Sequence, residues 1–96
     1  MAGVIFKQPN GLYCRVSTIV DCPTHWNMTE EEYVSMASYR QSLDTSLNIL
    51  KYHAKPFDQI RDYYCPNNMT ENEFEELIKK MEIPVEELTE KDKQIY

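Results

Sequence analysis

Asn27-Met28-Thr29-Glu30-Glu31-Glu32-Tyr33 is the stretch from which the fold is best read. Thr29 stands three residues before Glu32, so its hydroxyl can accept the amide hydrogen of the third helical residue while the Glu32 carboxylate reaches back to the Thr29 amide. Met28 before the cap and Tyr33 at the fourth helical position supply a hydrophobic staple. The signal predicts a helix starting at Glu30. Tyr33, Met36, Ala37, Leu43, Leu47, Leu50 and Ala54 recur at helical spacing and extend it as one long helix over 30–54. Pro56 marks its end, and Lys51, His53 and Lys55 crowd the last turn, where positive charge suits the helix dipole.

The same recipe returns downstream. Cys65-Pro66-Asn67-Asn68-Met69-Thr70-Glu71-Asn72-Glu73-Phe74 repeats the order of Cys22-Pro23 followed by Asn27 to Tyr33, with Thr70 and Glu73 as the box and Met69 and Phe74 as the staple. The following segments differ, so this is one helix-start recipe used twice rather than a duplicated domain. It predicts a helix over 71–82 that buries Phe74, Leu77, Ile78 and Met81. Pro84 suits the first position of a short helix over 84–92, with Leu88 inward. Between the two capped helices, Phe57, Ile60, Tyr63 and Tyr64 suit a short helix or strand over 57–64.

Upstream, Val4-Ile5-Phe6-Lys7 and Leu12-Tyr13-Cys14-Arg15-Val16 are β-prone runs separated by Gln8-Pro9-Asn10-Gly11. Proline presets φ, asparagine tolerates the next position and glycine accepts positive φ, which fits a type I turn with a glycine bulge. This predicts an N-terminal β-hairpin over 3–20, its second strand continuing through Ser17-Thr18-Ile19-Val20. Asp21 to Asn27, with Pro23 and a polar cluster, reads as a loop. Two strands alone are marginal in water, so the hairpin needs a packing partner. The expected architecture is a single α+β domain over 1–96, a hairpin packed on one long helix and two or three shorter ones.

The chain has 96 residues, 42% of them hydrophobic and 27% charged, an ordinary globular composition. No apolar run approaches the ~20 residues that span a bilayer, so membrane insertion is not expected. Met1 to Lys7 lacks the basic and long apolar regions of a secretory signal. Three cysteines without an export signal read as reduced thiols of a cytoplasmic protein. The formal charge is −6, and residues 71–96 hold nine acidic side chains against four basic ones. Such a surface repels nucleic acid and attracts basic protein surfaces, so direct nucleic-acid binding is not expected. A solvated acidic helix face that keeps a small protein soluble is the plainer reading.

Other chemistry has thin support. Cys22-x-x-His25 has a spacing used by metal sites, and Cys14 and Cys65 would complete a set of three thiolates and one imidazole for zinc. Against this, Cys14 shares a strand face with Leu12 and Val16, where a thiol packs as a small hydrophobe. Neither Cys22 nor Cys65, set beside His25 or His53, comes with a glycine-rich oxyanion loop or a third orienting residue. Glu30, Glu31 and Glu32, like Glu71, Glu73, Glu75 and Glu76, lie where a helix dipole favours them anyway. No HExxH, P-loop or GxGxxG occurs, and an enzyme is not expected. Asn27-Met28-Thr29 and Asn68-Met69-Thr70 match the N-glycosylation pattern, but both threonines are explained as caps. Seven tyrosines and one tryptophan are many for this length. Tyr39 and Tyr52 fall off the main helical stripe and Trp26 lies in the loop before the long helix; all three are candidate interface anchors.

Gly11 to Asp21, then Pro23 to Glu30, resembles small accessory proteins of bacterial phages and prophages, and Pro66 to Glu71 is similar to a second segment of them. The resemblance covers most of residues 3–81 and carries over no catalytic residue. It implies a mobile-element protein acting inside a bacterial cell, in a class that includes inhibitors of host defences such as CRISPR effectors. The expectation is therefore a non-enzymatic binding protein without cofactor. Glu71, Glu75, Glu76, Glu82, Glu86 and Glu87 would occupy the basic groove of a host nucleic-acid-processing protein, with Trp26 and Tyr39 as aromatic anchors. The alternative is a small homo-oligomeric or zinc-stabilised module, with Cys14, Cys22, His25 and Cys65 as ligands.

Overall fold

The computed structural model describes residues 3–39 and 41–94. Strands β1 (Gly3–Lys7), β2 (Tyr13–Ser17), β3 (Cys22–Met28) and β4 (Lys55–Pro56) form one mixed sheet in the order β3-β2-β1-β4. β1 pairs antiparallel with β2, Phe6 opposite Cys14, and parallel with β4, Phe6 opposite Lys55. With the helices that pack on it the chain is α+β. The β1–β2 turn closes by the Gly11 amide donating to the Gln8 carbonyl at 3.0 Å, and Gly11 takes φ 87°. Glycine is suited to this backbone because it has no Cβ.

Most of Asp21 to Asn27, read from sequence as a loop, belongs instead to the third strand, Cys22–Met28. β2 stops at Ser17 because the Ser17 hydroxyl accepts from the Ile19 and Val20 amides, at 3.2 and 3.4 Å. The Asp21 amide then closes onto the Ser17 carbonyl at 2.9 Å, and Asp21 turns left-handed with φ 57°. Pro23 is accommodated because β3 lies at the sheet edge and its pairing with β2 is irregular.

The long helix over 30–54 is also replaced. Helix α1 (Glu30–Ala37) begins at the capping box of Thr29 and Glu32 and stops at Ser38. Helix α2 (Leu43–Asn48) starts afresh at Ser42, whose hydroxyl accepts from the Thr45 amide at 3.2 Å. α2 then widens into a π-helical turn, Ile49–His53. Position 40, which the expected helix crossed, lies outside the described residues. The break rotates the apolar stripe: Tyr33, Met36, Ala37 and Leu50 are buried, whereas Leu43 is 58% exposed and Leu47 37%. Ser46 is buried in their place and accepts from Gln41 Nε2 at 2.9 Å.

Downstream, a 3₁₀ helix spans Phe57–Tyr63, and α3 (Glu71–Met81) carries the second capping box, of Thr70 and Glu73. The segment read as a helix over 84–92 is two separate 3₁₀ turns, Val85–Glu87 and Glu90–Asp92.

The sheet separates two cores because successive strand residues face opposite ways. Phe6, Cys14 and Val16 meet Ile60 and the Phe74, Leu77, Ile78 and Met81 stripe of α3 on one face. Ile5 and Met28 meet Tyr33, Met36, Ala37 and Leu50 on the other. Asn27, fully buried at φ 57°, fastens the α3 side. Its Oδ1 accepts from Gln8 Nε2 at 2.7 Å and Asn10 Nδ2 at 3.1 Å. Its Nδ2 donates to the carbonyls of Lys80 at 3.1 Å and Asp92 at 2.7 Å.

Candidate functional site

The polar surface of α3 is the place where charge and a half-buried aromatic, Trp26, meet. Burial of Phe74, Leu77, Ile78 and Met81 fixes the helix rotation and turns its glutamates outward. At 3.6 residues per turn, Glu71, Glu75 and Glu82 follow one flank, and Glu73, Glu76 and Lys80 the other.

The first flank is partly self-neutralised. Arg61 Nη1 lies 2.6 Å from Glu75 Oε1, and Nη2 donates to Oε2 at 3.1 Å, a two-point clamp. The hydrogen bond from Arg61 holds the Glu75 carboxyl below its usual range and raises the Arg61 pKa in turn. Tyr64 stacks on Phe74 with ring centroids 4.0 Å apart and donates from its hydroxyl to the Met69 carbonyl at 2.6 Å. Partial burial raises its phenol pKa, with the Glu71 charge adding to the effect.

The second flank forms one wall of an open groove of about 370 Å³, lined by Trp26, Met69, Asn72, Glu73, Glu76, Leu77 and Lys80. Trp26 reaches it from β3, half-buried against the α3-side core. The backbone of Trp26 pairs with Gln94, each amide donating to the other's carbonyl at 3.2 Å. The indole N–H is buried and finds no acceptor among the described residues. The Thr70 amide and hydroxyl both donate to Glu73 Oε1, and the amide bond leads in holding that carboxyl below its usual range. Glu76 is only loosely tied to Lys79, at 3.5 Å with both side chains about 70% exposed.

Glu86 and Glu87 lie exposed on the 3₁₀ turn beyond α3. The structure thus gathers Trp26, Glu73 and Glu76 in one groove and places Glu71 and Glu75 on the flank beyond. Tyr39 is 79% exposed but follows α1, whose buried residues belong to the opposite face of the sheet. Glu73 and the groove-lining Met69, Leu77 and Lys80 were absent from the expected contact set. In the sequence Met69 and Glu73 read only as parts of the helix start, and the groove depends on Trp26 belonging to a strand.

The zinc set is not assembled. Cys14 is sealed in the α3-side core, where burial pushes its thiol pKa up to about 12. Cys22 opens β3, its thiol pKa raised by burial and then by the Asp21 charge. His25 is buried, its Nδ1 2.8 Å from the Thr24 hydroxyl, and Cys65 is exposed. Among the described residues no three His, Cys, Asp or Glu side chains form a group able to hold a metal ion. Among them, too, no helix is long and apolar enough to cross a membrane. No protein-family model, curated protein or solved structure matches the chain.

Proposed function

We propose that the chain is a non-enzymatic acidic binding protein of phage type, acting in the bacterial cytoplasm. It inhibits or redirects a host nucleic-acid-processing protein by occupying the basic groove that otherwise holds nucleic acid. A CRISPR effector is the partner class favoured by the sequence resemblance. The reading is carried by one observation: Glu71, Glu76, Glu82, Glu86 and Glu87 all have exposed side chains within residues 71–87. A groove that binds a polyanion does so through clustered lysines and arginines, and clustered carboxylates present it with the same sign of charge as phosphates. Glu75 contributes less than its neighbours because Arg61 already engages it.

The test is competition. Purified chain titrated into a CRISPR effector carrying fluorescently labelled nucleic acid should displace the label, more weakly as salt rises. Combining Glu76→Lys, Glu86→Lys and Glu87→Lys should abolish the effect. Unchanged affinity and salt dependence in that variant would reject the reading.

A homo-oligomeric module is the second reading, favoured by Leu43 and Leu47, exposed four residues apart on α2. Sedimentation would then show a dimer that Leu43→Glu returns to monomer.

A further inference from the structure

We infer that the groove between Trp26 and α3 is a docking site for one arginine side chain of the partner protein. The inference rests on the acidic-binding reading above and names the group on the partner that this chain grips. Trp26, Met69 and Leu77 give the groove an apolar lining, and Glu73 and Glu76 set two carboxylates beside it. A long side chain with an apolar stem and a cationic head satisfies both halves. The volume, about 370 Å³, lies at the small end of ligand pockets, which suits one side chain with its local backbone.

Charge selects the sign of the guest. Among the described residues, the lining sets two carboxylates, Glu73 and Glu76, against the ammonium of Lys80. Among the described residues, the Thr70 cap uses only Oε1 of Glu73 and leaves Oε2 for a donor. The long, exposed link to Lys79 leaves Glu76 able to turn toward a better partner. Arginine fits better than lysine because a planar guanidinium stacks on an indole while its N–H groups reach a carboxylate.

Trp26 is the one tryptophan of the sequence, so its emission reports on the groove alone. The probe is an end-blocked peptide of alternating arginine and glycine, with the lysine and glutamate versions as comparisons. Saturable change in Trp26 emission is expected with arginine, weaker change with lysine and none with glutamate. Glu73→Gln combined with Glu76→Gln should weaken arginine-peptide binding about tenfold. Glutamine still completes the capping box, so an unchanged thermal midpoint checks that this variant folds.

Unaltered emission with the arginine peptide would overturn the inference. So would equal affinity in the double variant. A loss confined to Glu86→Gln with Glu87→Gln would also overturn it, while leaving the broader acidic-face reading intact. Conversely, groove-dependent peptide binding without displacement of nucleic acid from the effector would support the groove and reject the proposed function.

Discussion

Asn27 combines a left-handed backbone with a side chain whose amide is saturated by four partners. Asn27→Ala loses those bonds, leaves buried carbonyls and amides unpaired, and puts a residue less tolerant of the left-handed region where asparagine stood. A loss of about 3–4 kcal/mol in urea unfolding is expected. Asn27→Gly removes the same bonds but accepts the backbone, so it should be less destabilising than alanine by about 1 kcal/mol. The cysteines divide as sharply. Burial pushes the Cys14 thiol pKa up to about 12, whereas Cys65 is open to solvent. A maleimide should label Cys65 in the native protein and reach Cys14 only on unfolding, as mass spectrometry of peptides would record.

At the scale of elements, the interruption after α1 sets the cost of leucine truncation. Leu50→Ala should destabilise by about 2–4 kcal/mol, because Leu50 is buried in the α1-side core. Leu43→Ala should change stability by less than about 0.5 kcal/mol, because its side chain faces solvent. A continuous helix would have made the two alike. The helix starts at Glu30 and Glu71 were legible because a capping box is a local device, complete within a few residues. The third strand was not legible. Pro23 and the polar run suggested a loop, and what makes the segment a strand is its pairing with β2 after the Ser17 hydroxyl stops that strand. The helix break was hidden likewise, since Ser42 competes as a second cap while the apolar spacing continues past it. For the same reason Glu76 and Trp26 could be chosen from sequence, but not their shared groove.

Another consequence at this scale is a link between α1 and the C-terminal segment. Lys93 Nζ reaches both oxygens of Glu32, at 2.8 and 3.1 Å. Partial burial opposes ionisation of Glu32, but the bonds from Lys93 and Thr29 outweigh it and hold the carboxyl below its usual range. The folded-state pKa is therefore below the unfolded value of about 4.3. The stabilisation is complete above the unfolded value and is lost as pH falls through the depressed one. Lys93→Met should flatten the acid limb of stability against pH, read from urea midpoints between roughly pH 5 and 3.

Across the whole molecule, a sheet with a core on each face leaves α3 with one side sealed and the other free for glutamates. The acidic surface thus follows from packing: Phe74, Leu77, Ile78 and Met81 orient the helix, and the charges face outward as a result. Reversing Glu76, Glu86 and Glu87 to lysine should leave the unfolding midpoint near the wild-type value while removing the interaction.

The pairing of Trp26 with Gln94 has a bearing on solubility. β3 is an outer strand, and backbone groups on such a rim readily recruit the strand of a neighbouring molecule. Gln94 occupies those groups at Trp26, so the segment that carries it acts as a guard rail. Deleting residues 89–94 would bare that rim, and slow growth of β-rich aggregates, seen by light scattering, is the expected outcome.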